Sequence, residues 1–286
     1  MKSYNLGILI LLVCLLLQGC SNFIYYPSRL EYFSPERDLA KLKKEPDNPF
    51  EDISFLSYDG LMLSGWKINR KSGTPARGKV LQAHGNAENM TSHFYSMYWL
   101  TLEGYDVYTF DYRGYGKSEG VPRFPDTARD TRSFIDLVRA ENPELPLFVV
   151  GQSLGGSMAT IALTDGGDNS GVHGLILDST FSDYQSVAFD ILGRTFIGSL
   201  FAPTTAWMLP GDNYSSALRI KTIGIPVMVA HGINDAAISF SDGEKLFAAA
   251  SEPKEFYRMR GGHNDSIYLY RDEYKSAVDN FISNLA

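Results

Sequence analysis

Two segments of the chain carry the pattern Gly-x-Ser-x-Gly, which presents a serine nucleophile on a sharp turn between a strand and a helix. The pattern occurs at residues 151–155, centred on Ser153, and at residues 116–120, centred on Ser118. Ser153 directly follows the apolar run 147–150 and precedes a segment rich in alanine, leucine and methionine, whereas Ser118 is soon followed by a proline. This context predicts that Ser153 is a nucleophile and that Ser118 is a loop residue.

A serine nucleophile needs a base to take its proton and an acid to orient that base. His263 follows an apolar run and two glycines near the end of the chain, where the base stands in the order serine, acid, histidine. Asp235 follows the apolar run 227–230 and lies between Ser153 and His263 in the chain, so it is the predicted acid. Asp178 ends another apolar run and remains the alternative acid.

Backbone N–H groups must stabilise the oxyanion that forms when a serine attacks an acyl carbon. Asn86 lies in the turn that follows the apolar run 80–83, and Leu154 follows the predicted nucleophile directly. Both positions suit the presentation of a backbone N–H group toward the serine. We therefore predict that the N–H groups of Asn86 and Leu154 form the oxyanion hole.

These residues together resemble the α/β-hydrolase superfamily of serine hydrolases, whose landmarks appear in the same order between residues 52 and 285. The landmarks are His84-Gly85-Asn86, residues 111–116, residues 151–156, His231-Gly232 with Asp235, and Gly262-His263. The resemblance is closest to the branch of membrane-associated esterases and acyl thioesterases. It implies a triad of Ser153, Asp235 and His263 and an acyl ester or thioester substrate. Because the family also contains peptidases, a serine peptidase of the same fold stays an alternative.

Short apolar runs alternate with stretches of helical patterning along the chain. The predicted strands are 53–58, 61–68, 80–83, 107–110, 147–150, 175–177, 227–230 and 255–259, and the predicted helices are 88–103, 126–141, 154–163, 242–250 and 267–285. The first two strands flank Asp59-Gly60, a hairpin signal. The pattern predicts the α/β-hydrolase fold, with a mostly parallel eight-stranded sheet and helices on both faces. Functional residues are then expected where strands end.

An insertion at residues 179–224 is expected to form a small apolar cap. Its central part, residues 187–209, is strongly apolar and carries only two charged side chains, Asp190 and Arg194. A buried cap helix that packs on the sheet would explain this composition, and so would an acyl-binding wall or a membrane-facing lid. The sequence leaves these interpretations open.

The composition is that of a globular protein with a sizeable core. The chain has 286 residues, of which 44% are hydrophobic and 21% charged. Its net charge of −7 would repel a phosphate backbone, so we expect no nucleic acid partner. The five histidines lack the spacing of a metal site, and neither a metal nor another cofactor is expected. The sequence indicates no oligomeric state.

The first residues are typical of an export signal. Lys2 precedes a run of twelve uncharged residues, 6–17, which is shorter than a membrane span. Residues 17–20 resemble the bacterial lipoprotein signal, which implies cleavage before Cys20 and lipidation of that cysteine. By the same resemblance, Ser21 favours the outer membrane, if the host has one. The chain's two cysteines, Cys14 and Cys20, would then both be used, which leaves no disulfide or cysteine nucleophile.

These features divide the chain into three parts: a signal peptide at residues 1–19, a lipidated N-terminus with a tether or docking arm at 20–49, and a catalytic domain at 50–286. We expect the protein to be exported and anchored to a bacterial membrane through Cys20. A serine hydrolase is the favoured function. A lipid-anchored binding or assembly protein that keeps the fold is the alternative from a different functional class.

Overall fold

The computed structural model describes residues 25–32, 49–192, 203 and 209–285. The strands in these ranges are β1 (Tyr26–Pro27), β2 (Phe50–Leu56), β3 (Met62–Ile68), β4 (Gly78–Ala83), β5 (Ala87–Glu88), β6 (Tyr105–Phe110), β7 (Leu147–Gln152), β8 (Val172–Asp178), β9 (Val227–Gly232) and β10 (Lys254–Met259). The helices are α1 (Met90–His93), α2 (Tyr95–Tyr98), α3 (Asp126–Ala140), α4 (Leu154–Thr164), α5 (Tyr184–Leu192), α6 (Ser216–Arg219), α7 (Phe240–Ala249), α8 (Asp265–Tyr268) and α9 (Arg271–Ser283). Short 3₁₀ turns cover Trp99–Glu103, Asp212–Tyr214 and Ile220–Thr222.

Eight of these strands form one sheet in the order β10-β9-β8-β7-β4-β6-β3-β2. β2 is antiparallel to β3, and β3 is antiparallel to β6. All other neighbours in the sheet are parallel, so their carboxyl ends meet at one edge. β1 and β5 form a separate parallel pair. The predicted α/β fold with a mostly parallel eight-stranded sheet is confirmed.

Helices cover both faces of the sheet. On one face, α3 and α4 bury side chains such as Phe134 and Met158 in a core that also includes Leu246 of α7. On the other face, Phe94 and the α9 residue Val278 belong to a second core. The central strand β7 is buried along its whole length, as expected for a strand covered on both sides.

Two predicted helices are interrupted. The prediction of one helix at 88–103 is wrong, because Glu88 pairs in β5 and the Asn89 side chain caps α1 by accepting from the Thr91 N–H group. The chain then continues as short helical turns that end at Gly104. The prediction of one helix at 267–285 is wrong as well. The Asp265 carbonyl accepts from two successive backbone N–H groups, which closes α8, and α9 begins at Arg271.

Several predictions fall on residues outside the described ranges. These are the signal peptide at residues 1–19, the lipidation site Cys20, and residues 193–202 and 204–208 of the apolar stretch 187–209. Of the predicted cap, the structure describes α5 and the segment that resumes at Leu209. Among the described residues, no helix combines the length and the apolar character that a membrane crossing requires.

Close contact between β4 and the start of α4 generates a first prediction. A Cβ atom on Gly155 would lie 2.0 Å from the Ala83 backbone oxygen, so Gly155→Ala must push a helix away from the central sheet. Overpacking of this kind typically costs about 1–3 kcal/mol. We expect a clear drop in melting temperature by circular dichroism. The control is Gly211→Ala, since a Cβ atom there meets nothing within 4 Å. Equal melting temperatures for the two variants would contradict the described contact.

Candidate active site

Ser153 lies on a strained turn between β7 and α4. Its φ is +53° and its ψ is −115°, a backbone conformation that residues other than glycine rarely adopt. The Ser153 N–H group donates to the Asp178 backbone oxygen at 2.8 Å, which ties the turn to the neighbouring strand β8. A Cβ atom on Gly151 would lie 2.4 Å from the Gly156 Cα atom, so the turn closes only because these positions are glycines. The predicted nucleophile therefore sits partly exposed at the carboxyl edge of the sheet.

His263 and Asp235 form a hydrogen-bonded pair at the ends of the neighbouring strands β10 and β9. His263 Nδ1 lies 2.7 Å from Asp235 Oδ2, and the Asp235 side chain is fully buried. Asp235 Oδ1 also accepts from the backbone N–H groups of Ala237 at 2.7 Å and Ile238 at 2.9 Å. Burial alone would raise the pKa of Asp235, but these hydrogen bonds hold it below its ordinary value. Asp235 is thus an ionised acceptor that orients the imidazole of His263.

His231 lies next to the same carboxylate. Its Nε2 atom lies 3.5 Å from Asp235 Oδ2 and 3.2 Å from the backbone oxygen of Ile238. Burial lowers the pKa of His231, so this ring stays neutral. The sequence analysis noted His231 as a family landmark but assigned it no role toward Asp235. Its position at the end of the strand, four residues before Asp235, is the signal that would have indicated one.

Ser153 and His263 lie on adjacent parts of the site, but the described residues show no hydrogen bond between their side chains. Instead, Gln152 Nε2 lies 3.5 Å from His263 Nε2 and 3.3 Å from the Asn264 side-chain oxygen. With its Nδ1–H group donated to Asp235, His263 keeps Nε2 as an acceptor, which is the state a general base needs. Hydrogen bonds between a nucleophile and its base are often long in the absence of substrate and tighten when substrate binds. No local sequence pattern predicts this position of Gln152 beside the base.

The two predicted oxyanion groups flank the nucleophile. Among the described residues, neither the Leu154 nor the Asn86 backbone N–H group has a hydrogen-bond acceptor. Asn86 is held from two sides, because its carbonyl accepts from the Tyr115 hydroxyl at 2.8 Å and its Oδ1 accepts from the Tyr26 N–H group at 2.9 Å. Both N–H groups therefore remain available for an oxyanion.

The alternative acid Asp178 has the opposite environment to Asp235. Its side chain is buried, and its Oδ1 atom has no hydrogen-bond partner in the described part of the chain. Burial raises its pKa to about 6. An acid that orients a catalytic imidazole must contact the ring, and Asp235 does so at 2.7 Å from His263 Nδ1. The geometry therefore favours Asp235 over Asp178.

Ser118, the serine of the second Gly-x-Ser-x-Gly pattern, is fully buried. Its hydroxyl donates to the Asp111 backbone oxygen at 2.6 Å and accepts from the Ser64 N–H group at 3.0 Å. It therefore holds a loop against β3, and both of its hydrogen-bonding functions are used structurally.

A polar cleft of about 280 Å³ adjoins the nucleophile turn. Its lining is dominated by hydrogen-bonding side chains and contains one carboxylate; the lining residues are Ala87, Glu88, Ser92, His93, Ser96, Gln152, Asn264 and Tyr268. Because Gln152 also approaches His263 Nε2, the cleft opens beside the predicted base. Within the described ranges, no group of three or more His, Cys, Asp or Glu side chains is placed to hold a metal ion.

Comparison with known proteins identifies several relatives. A family model described as serine aminopeptidase, S33, matches residues 74–215. Protein YfhR of Salmonella typhi is 35% identical over 295 residues, covering 98% of this chain and 93% of YfhR. The lysophosphatidylserine lipase ABHD12 of Macaca fascicularis is 29% identical over 211 residues, covering 69% of this chain and 52% of that protein. The solved Pyrococcus furiosus esterase Pf2001 has a TM-score of 0.69 at 19% identity, covering 92% of this chain and 98% of its own, and shares the fold.

The contrast between the two carboxyls generates a prediction about pH. Asp178 keeps its proton to about pH 6 in the folded chain, against an ordinary value of 3.8. The raised pKa therefore makes its full contribution to the free energy of unfolding below pH 3.8. This contribution is lost as the pH rises through about 6. Since one pKa unit corresponds to about 1.4 kcal/mol, Asp178→Asn should raise the free energy of unfolding by up to about 3 kcal/mol near pH ~8 and far less near pH ~4.

Urea unfolding at the two pH values measures this difference. The exposed carboxyl of Asp212 provides the control, and Asp212→Asn should show no such dependence on pH. A gain from Asp178→Asn that is equal at both pH values would show that the folded Asp178 is not protonated at pH ~4 and would contradict its raised pKa.

Proposed function

Because this chain belongs to the α/β-hydrolase superfamily, we propose that it is a serine hydrolase that cleaves carboxylic acyl esters or thioesters through an acyl-enzyme on Ser153. The observation that carries the proposal is the 2.7 Å hydrogen bond from His263 Nδ1 to the buried carboxylate of Asp235. This pair lies at the same sheet edge as the strained turn of Ser153. A binding protein that only keeps the fold has no need for this combination.

The proposed reaction has two stages. His263 Nε2 takes the proton of Ser153 as the serine oxygen attacks the acyl carbon, and Asp235 stabilises the imidazolium that results. The N–H groups of Leu154 and Asn86 stabilise the oxyanion, each contributing about 3–4 kcal/mol. The protonated His263 then gives its proton to the departing alcohol or thiol. Water, activated by the same imidazole, releases the acid from Ser153 in the second stage.

The cleft beside the base indicates where the leaving group lies. The departing oxygen or sulfur must approach His263 Nε2 to receive its proton, and the 280 Å³ cleft opens there. The polar lining of this cleft fits a polar alcohol portion rather than a second acyl chain. One relative is named a lysophosphatidylserine lipase, and an ester that joins one acyl chain to a polar group fits this arrangement. The description of the family model favours peptide substrates as the second candidate.

We also propose that the protein works at a membrane surface. Residues 1–19 would serve as a signal peptide, and the lipid chains on Cys20 would anchor the mature protein to a bacterial membrane, with the outer membrane favoured by Ser21. Anchoring raises the effective concentration of substrates that reside in the bilayer. This location favours acyl esters of membrane lipids over soluble metabolites.

The nucleophile assignment predicts opposite results for the two serines. Ser153→Ala should abolish labelling by a fluorophosphonate and lower the turnover of p-nitrophenyl esters by about 10⁶-fold. Ser118→Ala should keep the labelling and the turnover and lower only the melting temperature, because it loses two buried hydrogen bonds. Equal loss of labelling in both variants would refute the assignment. Full labelling of the Ser153→Ala variant would place the nucleophile elsewhere.

The acyl-ester proposal predicts a dependence on chain length. For p-nitrophenyl esters, kcat/KM should rise from acetyl to octanoyl, since each methylene that enters an apolar site contributes up to about 0.8 kcal/mol. Aminoacyl p-nitroanilides measured in parallel test the peptidase alternative and should react far more slowly. A strong preference for acetyl esters would contradict a lipid-like substrate. Faster cleavage of the anilides would favour the peptidase.

A further inference from the structure

The described part of the N-terminal arm, residues 25–32, is docked beside the oxyanion turn. The Tyr25 side chain is buried, and its hydroxyl lies 2.5 Å from the Thr127 hydroxyl. The Tyr26 N–H group donates to Asn86 Oδ1 at 2.9 Å, and β1 pairs with β5 directly after Asn86. The arm therefore contacts the very residue that is predicted to supply an oxyanion donor.

Further hydrogen bonds hold the rest of the arm in the same place. The Ser28 carbonyl accepts from the Gly116 N–H group at 2.8 Å and from Asn89 Nδ2 at 3.0 Å. Asn89 Nδ2 also donates to the Leu30 carbonyl at 2.6 Å, and the Tyr32 N–H group donates to the Thr91 hydroxyl at 3.0 Å. Contacts spread over the whole segment fix its position relative to the catalytic domain.

The docking of Tyr25 limits how far the active site can lie from a lipid on Cys20. Four residues lie between these two positions, and even a fully extended chain of five Cα-to-Cα steps spans only about 18 Å. The chain between Cys20 and the docked Tyr25 is therefore much shorter than the 20–49 segment as a whole. With Cys20 in a bilayer, the mouth of the site must stay near the lipid surface.

Exposed apolar side chains lie on the two segments beside this mouth, the arm and the end of α8. Tyr26 is 57% exposed and Leu30 is 71% exposed on the arm, while Tyr268 is 47% exposed and Leu269 is 70% exposed beyond the predicted base. Residues 87–88 join the two groups, because they line both the cleft that contains Tyr268 and an open groove of about 560 Å³ along the arm. We call these four exposed side chains the rim.

We propose that the rim is a membrane-contact surface that holds the mouth of the active site against the bilayer in which Cys20 is anchored. This inference rests on the lipidation of Cys20 that forms part of the proposed function. A tether of at most about 18 Å brings the rim to the bilayer, and the exposed apolar side chains gain an apolar environment at that surface. A lipid substrate then enters the site from the membrane side without crossing the aqueous phase.

A single-cysteine experiment tests the rim. Cys14 and Cys20 are the chain's two cysteines, so the lipidated mature protein has no free thiol. An introduced cysteine is then the single site that an environment-sensitive dye labels. We would label Leu30→Cys and Leu269→Cys in the full lipidated chain, reconstituted in vesicles of phosphatidylethanolamine and phosphatidylglycerol. The matched control is Leu102→Cys. Leu102 is 53% exposed and precedes β6, so it lies at the amino ends of the parallel strands, opposite the active site.

The dye at positions 30 and 269 should show blue-shifted emission and quenching by doxyl lipids, while the dye at position 102 should remain in water. Water-like emission at both rim positions would overturn the proposal. Double labelling, which would reveal an unmodified Cys20, would overturn it together with the anchor. Fluorophosphonate labelling of the same samples reports the enzyme separately, so a shifted rim dye without a labelled Ser153 would refute the hydrolase and leave the contact surface standing.

A spacer provides a second test that leaves the catalytic residues unchanged. A flexible Gly-Ser insertion after Asn22 lengthens the tether and should lower the hydrolysis of esters carried in the vesicles, since the effective concentration at the bilayer falls. Hydrolysis of soluble esters should stay at the parent rate. Unchanged hydrolysis of vesicle-borne esters would contradict a short tether that holds the mouth at the membrane.

Discussion

A buried carboxylate is stable only where hydrogen bonds replace the water it has lost, and the chemistry of this site depends on that constraint at Asp235. Two backbone N–H groups and the imidazole of His263 supply the bonds, so the acid stays ionised with no exposed surface. Asp178, at the end of the next strand, is fully buried, its Oδ1 atom has no hydrogen-bond partner among the described residues, and burial raises its pKa. Two carboxyls on adjacent strands thus have pKa values shifted in opposite directions, and of the two it is Asp235 that contacts the imidazole of His263.

The order of the sheet explains how distant parts of the sequence meet. Five neighbouring strands, in the order β10-β9-β8-β7-β4, lead at their carboxyl ends into His263, Asp235, Asp178, Ser153 and Asn86, respectively. The glycines beside Ser153 let the following helix approach the central strands closely, which aims the serine outward from the sheet edge. Regular strand pairing therefore does most of the positioning, and a few backbone hydrogen bonds complete it.

Much of this arrangement could be predicted from sequence, because the site residues follow strands whose apolar runs are clear. Ser153 was separable from Ser118 by local context alone. The sequence also favours Asp235 over Asp178, and the structure adds the hydrogen bond between Asp235 and His263. Local patterns also cannot predict the pairing of the arm with residues 87–88, because it joins segments about sixty positions apart. This pairing explains why the helical segment predicted from residue 88 begins later. The roles of Gln152 and His231 likewise depend on contacts across the fold.

The central claim is that Ser153 carries the acyl group between the two stages of the reaction. Rapid acid quenching of the enzyme during turnover of an octanoyl ester, followed by peptide mapping with mass spectrometry, tests it directly. The account predicts an octanoyl adduct on Ser153 that disappears as substrate is exhausted and that accumulates when deacylation is slowed. An adduct on a different residue, or steady turnover with no acylated peptide at any quench time, would contradict it.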